Sequence, residues 1–70
     1  MTYIYFQDDT WPWHIVRWDG KGLMEEYRRG QGWVENRECF GILAGVDPYY
    51  TRITEEEALR IIQELEQKNL

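Results

Sequence analysis

Seventy residues, a formal charge of −5 and a single cysteine set the first limits. One domain fills the chain, no internal disulfide can form, and the acidic total argues against a general nucleic-acid binder, which needs a basic field to neutralise phosphate. No run approaches the roughly 18 apolar residues that span a bilayer, and Met1 leads into Thr2–Phe6 without a basic leader, so a soluble cytoplasmic domain over residues 1–70 is expected.

A chain this short buries only about 60% of the surface it exposes when unfolded. Its aromatic content offsets that: four Trp, five Tyr and two Phe residues, each ring burying on the order of 150–250 Å². The charge is uneven. Residues 1–16 hold two acids and no base, residues 17–37 hold five bases against four acids, and residues 38–70 hold seven acids against three bases. Any positive patch therefore falls between Arg17 and Arg37.

Tyr3-Ile4-Tyr5-Phe6-Gln7 is aromatic and β-prone, and predicts a first strand over 2–7. Asp8-Asp9-Thr10 and Pro12 turn the chain back, with Pro12 at the start of the next strand because it cannot donate to a ladder. Two apolar-rich runs, 13–18 and 23–28, flank Asp19-Gly20-Lys21-Gly22 and predict a hairpin. A two-residue Asp-Gly loop sets Val16 opposite Leu23 and His14 opposite Glu25 on one face, with Ile15 opposite Met24 on the other. Gly22 leaves a longer, bulged loop as the alternative.

Arg29-Gly30-Gln31-Gly32 reads as a basic connector and Trp33-Val34 as a short extended anchor. Asn36 can cap a short helix over about 37–44 that places Cys39, Ile42 and Leu43 on one side, with Gly45 as its stop; a strand over 38–44 competes, since Gly41 weakens the helix. Asp47-Pro48 marks a turn, and residues 49–53 are extended. Thr54-Glu55-Glu56-Glu57 is a capping box that opens a helix over 55–68, with Ala58, Ile61, Ile62 and Leu65 as its apolar stripe. The architecture expected is α+β: an antiparallel meander of 2–7, 13–18 and 23–28 with the terminal helix across one face.

The Trp-containing hairpin, the Gly32-Trp33-Val34 anchor and the Ile53-Thr54-Glu55-Glu56-Glu57-Ala58 helix start resemble a family of small uncharacterised bacterial proteins across residues 13–62. That resemblance implies no activity, cofactor or site residue.

The chemistry on offer is thin. There is no serine. Cys39 and His14 could form a thiolate–imidazole pair, but a small buried hydrophobe is the commoner role for such a cysteine. No Cys-x-x-Cys or His-x-x-x-His spacing suggests a metal. Asp8 and Asp9 with His14 or Asp47 read better as turn acids, and His14 as a cross-strand partner of Glu25. The carboxylates Asp8, Asp9, Glu25 and Glu26 lack a cleft to work in, and Gly30-Gln31-Gly32 lacks the context of a phosphate loop. No cofactor, metal or membrane is therefore expected.

One helix covers one sheet face, yet both faces of the hairpin are apolar. An uncovered apolar face marks an interface. The expected function is a non-enzymatic interaction module that binds another protein or a second copy through Trp11, Trp13, Ile15, Arg17, Trp18, Met24, Arg28 and Arg29, residue types common at hot spots. Single-stranded nucleic-acid binding by the Trp/Arg surface is the alternative, and a Cys39/His14 enzyme is disfavoured.

Overall fold

A computed structural model describes residues 2–43 and 49–68. Among these residues, five antiparallel strands form one sheet: β1 (Ile4–Asp8), β2 (Ile15–Trp18), β3 (Met24–Arg28), β4 (Gly32–Glu35) and β5 (Tyr50–Ile53). Their order across the sheet is β4-β3-β2-β1-β5. A 3-10 helix covers Arg37–Ile42 and α1 covers Glu55–Gln67. The α+β class and the pairing of the first strand with the second are as expected. The three-stranded meander is the centre of a larger sheet, because the Trp33-Val34 anchor pairs with β3 and the 49–53 segment pairs with β1. The turn expected at Asp47-Pro48 and the stop at Gly45 lie outside the described residues.

The hairpin register differs from the Asp-Gly expectation. Trp18 faces Met24, Arg17 faces Glu25 and Val16 faces Glu26. Asp19 is the cause. Its Oδ1 accepts the backbone amides of Lys21 (2.8 Å), Gly22 (3.0 Å) and Leu23 (3.0 Å), and its own amide donates to the Leu23 carbonyl. Gly20 takes φ +83° inside this loop, a conformation that favours glycine. The wider loop shifts β3 by an odd number of residues, and an odd shift turns every β3 side chain to the other face. Met24 therefore lies beside Val16 and not beside Ile15.

Both faces acquire a cover. On one, Tyr5 and Ile15 pack with Ala58 and Ile61 of α1, with Tyr3, Trp13, Trp33, Ile53 and Ile62 around them. On the other, Val16 and Met24 pack with Cys39, and Phe6, Trp18, Ile42 and Tyr50 close around that cluster. The second cover is the 3-10 helix. Asn36 caps it, accepting the Glu38 amide on Oδ1 at 3.0 Å. Side chains three apart eclipse in a 3-10 helix, so Cys39 and Ile42 both meet the sheet while Leu43 turns outward. The expected segment over 37–44 is thus helical, but tighter and shorter than an α-helix, with residue 44 outside the described set.

The terminal helix follows its sequence signals closely. The Glu57 amide donates to Thr54 Oγ1 (3.1 Å) and the Thr54 amide donates to Glu57 Oε1 (3.2 Å), completing the capping box. Ala58, Ile61 and Leu65 are buried, whereas Leu59 stays exposed at the edge of the stripe. Among the described residues, no helix is long and apolar enough to cross a membrane.

Candidate functional site

Antiparallel pairing brings the C-terminal ends of β1 and β3 and the N-terminal ends of β2, β4 and β5 to one end of the sheet. The last turn of α1 reaches the same end: Glu66 accepts the Tyr27 hydroxyl and the Gly30 amide, and Lys68 Nζ sits 4.2 Å over the Trp13 ring.

The expected interaction residues divide into three groups. Trp11, Arg28 and Arg29 are exposed at this end. Ile15 and Met24 are fully buried, on opposite faces, so they line no surface and drop out of the candidate interface. Trp13, Arg17 and Trp18 are half-buried and engaged within the chain. Trp13 lies under Lys68, and Trp18 belongs to the cluster beneath the 3-10 helix. The Arg17 guanidinium lies 4.0 Å from the centre of the Tyr3 ring and 4.2 Å from that of Trp33, with its Nε donating to Glu25 Oε1 at 2.8 Å. Tyr49 joins the exposed set, a residue that sequence reading assigned only to an extended segment. Its carbonyl accepts the Asp9 amide at 2.7 Å, and the Trp11 amide donates to Asp8 Oδ1 at 3.1 Å, so both aromatics hang from the same β1 terminus.

Beside them, on the face carrying the 3-10 helix, is a polar cluster centred on His14. Side chains alternate along a strand, so His14 shares a face with Val16 and lies diagonal to Glu26, the residue opposite Val16. Its Nε2 is 3.0 Å from Glu26 Oε2. The expected partner, Glu25, instead points to the helix face and pairs with Arg17; the odd shift of β3 exchanged the two glutamates. On the other side of the ring, Nδ1 is 3.0 Å from the Tyr50 hydroxyl and 3.4 Å from Asp8 Oδ2. Cys39 comes in from the 3-10 helix. The His14, Glu26 and Cys39 ligand atoms all lie within 4.8 Å of one another.

The outer partners hold this arrangement. Arg28 donates from Nε (2.9 Å) and Nη2 (2.7 Å) to Glu26 Oε1, leaving Oε2 to face His14. Thr10 and Trp11 donate their amides to Asp8 Oδ1, leaving Oδ2 toward His14. Burial pushes the Glu26 carboxyl up, but hydrogen bonds from Arg28, His14 and Asn36 outweigh it and hold the group below its ordinary range. Asp8 follows the same pattern: burial raises it, and the Thr10 and Trp11 amides with His14 bring it below its ordinary range.

No family model, curated protein or solved structure matches this chain. Cys39 and His14, the only cysteine and the only histidine, come together. Glu26, Tyr50 and Asp8 complete the group; Asp8 is expected as a turn acid and Glu26 as a solvated carboxylate, because the cluster draws on β1, β3, β5, the residue before β2 and the 3-10 helix, which are far apart in sequence.

Proposed function

We propose that this chain is a small, non-enzymatic protein-interaction module that associates through the sheet end bearing Trp11 and Tyr49, and that its partner is a second copy of itself. The observation that carries this reading is the exposure of those two aromatic residues, 62% each, held at neighbouring points of the fold. Trp, Tyr and Arg dominate binding hot spots, and Arg28 and Arg29 are exposed at the same end. That end carries both signs of charge, exposed Asp9 as well as exposed Arg29. A two-fold contact can therefore set the acid of one copy against the base of the other. Domains of this size commonly gain stability from a partner subunit.

No reaction is part of this reading. The Cys39 thiol is buried, whereas reactive cysteines need access. The nucleic-acid alternative is weakened by the engagement of its aromatic platform: Arg17 stacks on Trp33 and Lys68 covers Trp13.

Light scattering or sedimentation from micromolar to millimolar concentration tests the proposal. The wild type should associate, and the Trp11→Ala/Tyr49→Ala double variant should remain monomeric with an unchanged far-UV spectrum. A wild-type monomer throughout the range would reject it. Binding to single-stranded oligonucleotide at low salt, lost on replacing Arg28 and Arg29 by Gln, would favour the alternative.

A further inference from the structure

We infer that His14 Nε2, Glu26 Oε2 and Cys39 Sγ form a binding site for a zinc-class divalent transition-metal ion. This inference is independent of self-association. The three donors are a nitrogen, a carboxylate oxygen and a sulfur, and together they suit a borderline-soft ion and not Mg²⁺ or Ca²⁺, which take oxygen ligands. A tetrahedral ion with bonds of about 2.0–2.3 Å holds its ligand atoms roughly 3.3–3.8 Å apart. The atoms here start from a 3.0 Å contact between Nε2 and Oε2 and lie within 4.8 Å of one another, so small side-chain adjustments bring them to that spacing.

The surroundings also suit an ion. A metal-bound histidine characteristically donates its second ring N–H to a carboxylate or another oxygen, which fixes the tautomer and aims the ligating nitrogen. His14 has two such partners on Nδ1: the Tyr50 hydroxyl at 3.0 Å and Asp8 Oδ2 at 3.4 Å. Asp8 is itself held by two backbone amides, and Glu26 by two nitrogens of Arg28. His14 and Glu26 are thus each oriented by groups that take no part in ligation.

Proton accounting is consistent. Without an ion, Nε2 faces Glu26 Oε2, and Nδ1 faces the Tyr50 hydroxyl and Asp8 Oδ2. With one, Nε2 gives its lone pair to the metal, the ring proton resides on Nδ1 and faces Asp8, and Cys39 releases its thiol proton to solvent. The His14 and Glu26 side chains are 24% and 12% exposed, enough to admit an ion while limiting competition from bulk water. Three protein ligands leave a fourth position for water or for a donor from another molecule.

Titration of the full, reduced chain with Co²⁺ and then Zn²⁺ tests the inference. One equivalent of Co²⁺ should produce a thiolate-to-cobalt charge-transfer band, and one equivalent of Zn²⁺ should abolish it and protect Cys39 from alkylation. Cys39→Ser should remove the band and weaken Zn²⁺ at least tenfold. Asp8→Asn, which leaves all three ligands in place, should weaken Zn²⁺ about 10–100-fold while keeping the band. Far-UV spectra establish that each variant is folded, and Glu26→Gln replaces any that is not, with the same tenfold loss expected. Absence of the band in the folded wild type would overturn the site. Zn²⁺ affinity unchanged in folded Cys39→Ser would do so as well, since it would place the ion on surface carboxylates.

Discussion

Met24→Ala probes the side of the sheet closed by the 3-10 helix, and Ile15→Ala probes the side closed by α1. Both side chains are fully buried. A buried Met or Ile cut to Ala costs about 2–5 kcal/mol, the transfer of the lost carbons plus the cavity left behind. The whole domain of 70 residues has a stability of roughly 3.5–10 kcal/mol at the usual 0.05–0.15 kcal/mol per residue. Either change therefore consumes a large share of it, and the melting midpoint should fall by at least about 8 °C. The two variants separate at Cys39. Met24 packs in the cluster that holds Cys39, whereas Ile15 packs under Ala58 and Ile61. Alkylation of Cys39, corrected for each variant's unfolded fraction from a matched urea titration, should be accelerated in Met24→Ala. In Ile15→Ala it should track global unfolding alone. The reverse order would refute the register that puts Met24 and Ile15 on opposite faces.

Three further outcomes are expected. The Glu26 and Asp8 carboxyls are held below their ordinary values in the fold, so each contributes stability that is present above about pH 4 and is lost as pH falls through the lowered value. Glu26→Gln should accordingly lower the urea midpoint at pH 7 and flatten its decline in acid; an acid limb as steep as wild type would contradict this. Thr54→Ala removes half of the capping box and should cost about 1 kcal/mol by urea unfolding, with no change in Cys39 alkylation beyond the global effect. Arg17→Lys keeps the charge but loses the flat stack between Tyr3 and Trp33, and should cost about 0.5–2 kcal/mol with a shift in tryptophan emission; a silent substitution would show that the stack contributes nothing.

Local signals were readable in the sequence. The Thr54–Glu57 box, the Ala58/Ile61/Leu65 stripe and the β-prone residues 3–7 act over a few residues and each produced the element they announced. The register of the central hairpin was not readable from side-chain pairing. Three amides converging on the Asp19 carboxylate outweighed the apolar pairs of a tight Asp-Gly turn. That one carboxylate decided where Met24, Glu25 and Glu26 point, and with them the partner of His14. The covering of the second face was also hidden. The helix itself and its Cys39/Ile42 side are legible, but nothing local says which sheet face a six-residue 3-10 helix will cover. The polar cluster inherits both difficulties, because it needs the shifted register and the second cover at once.

Gly20 sits at φ +83°, and a β-carbon placed there would meet nothing within 4 Å. The turn is therefore a stereochemical instruction, not a steric one. An L-residue at that position is strained by its own backbone, whereas a D-residue prefers this half of conformational space. D-alanine at position 20, introduced by chemical synthesis, should fit the loop and raise stability by about 0.4–1 kcal/mol through restriction of the unfolded chain, while L-alanine should lower it. The hairpin that organises this sheet is, at one residue, specified by handedness.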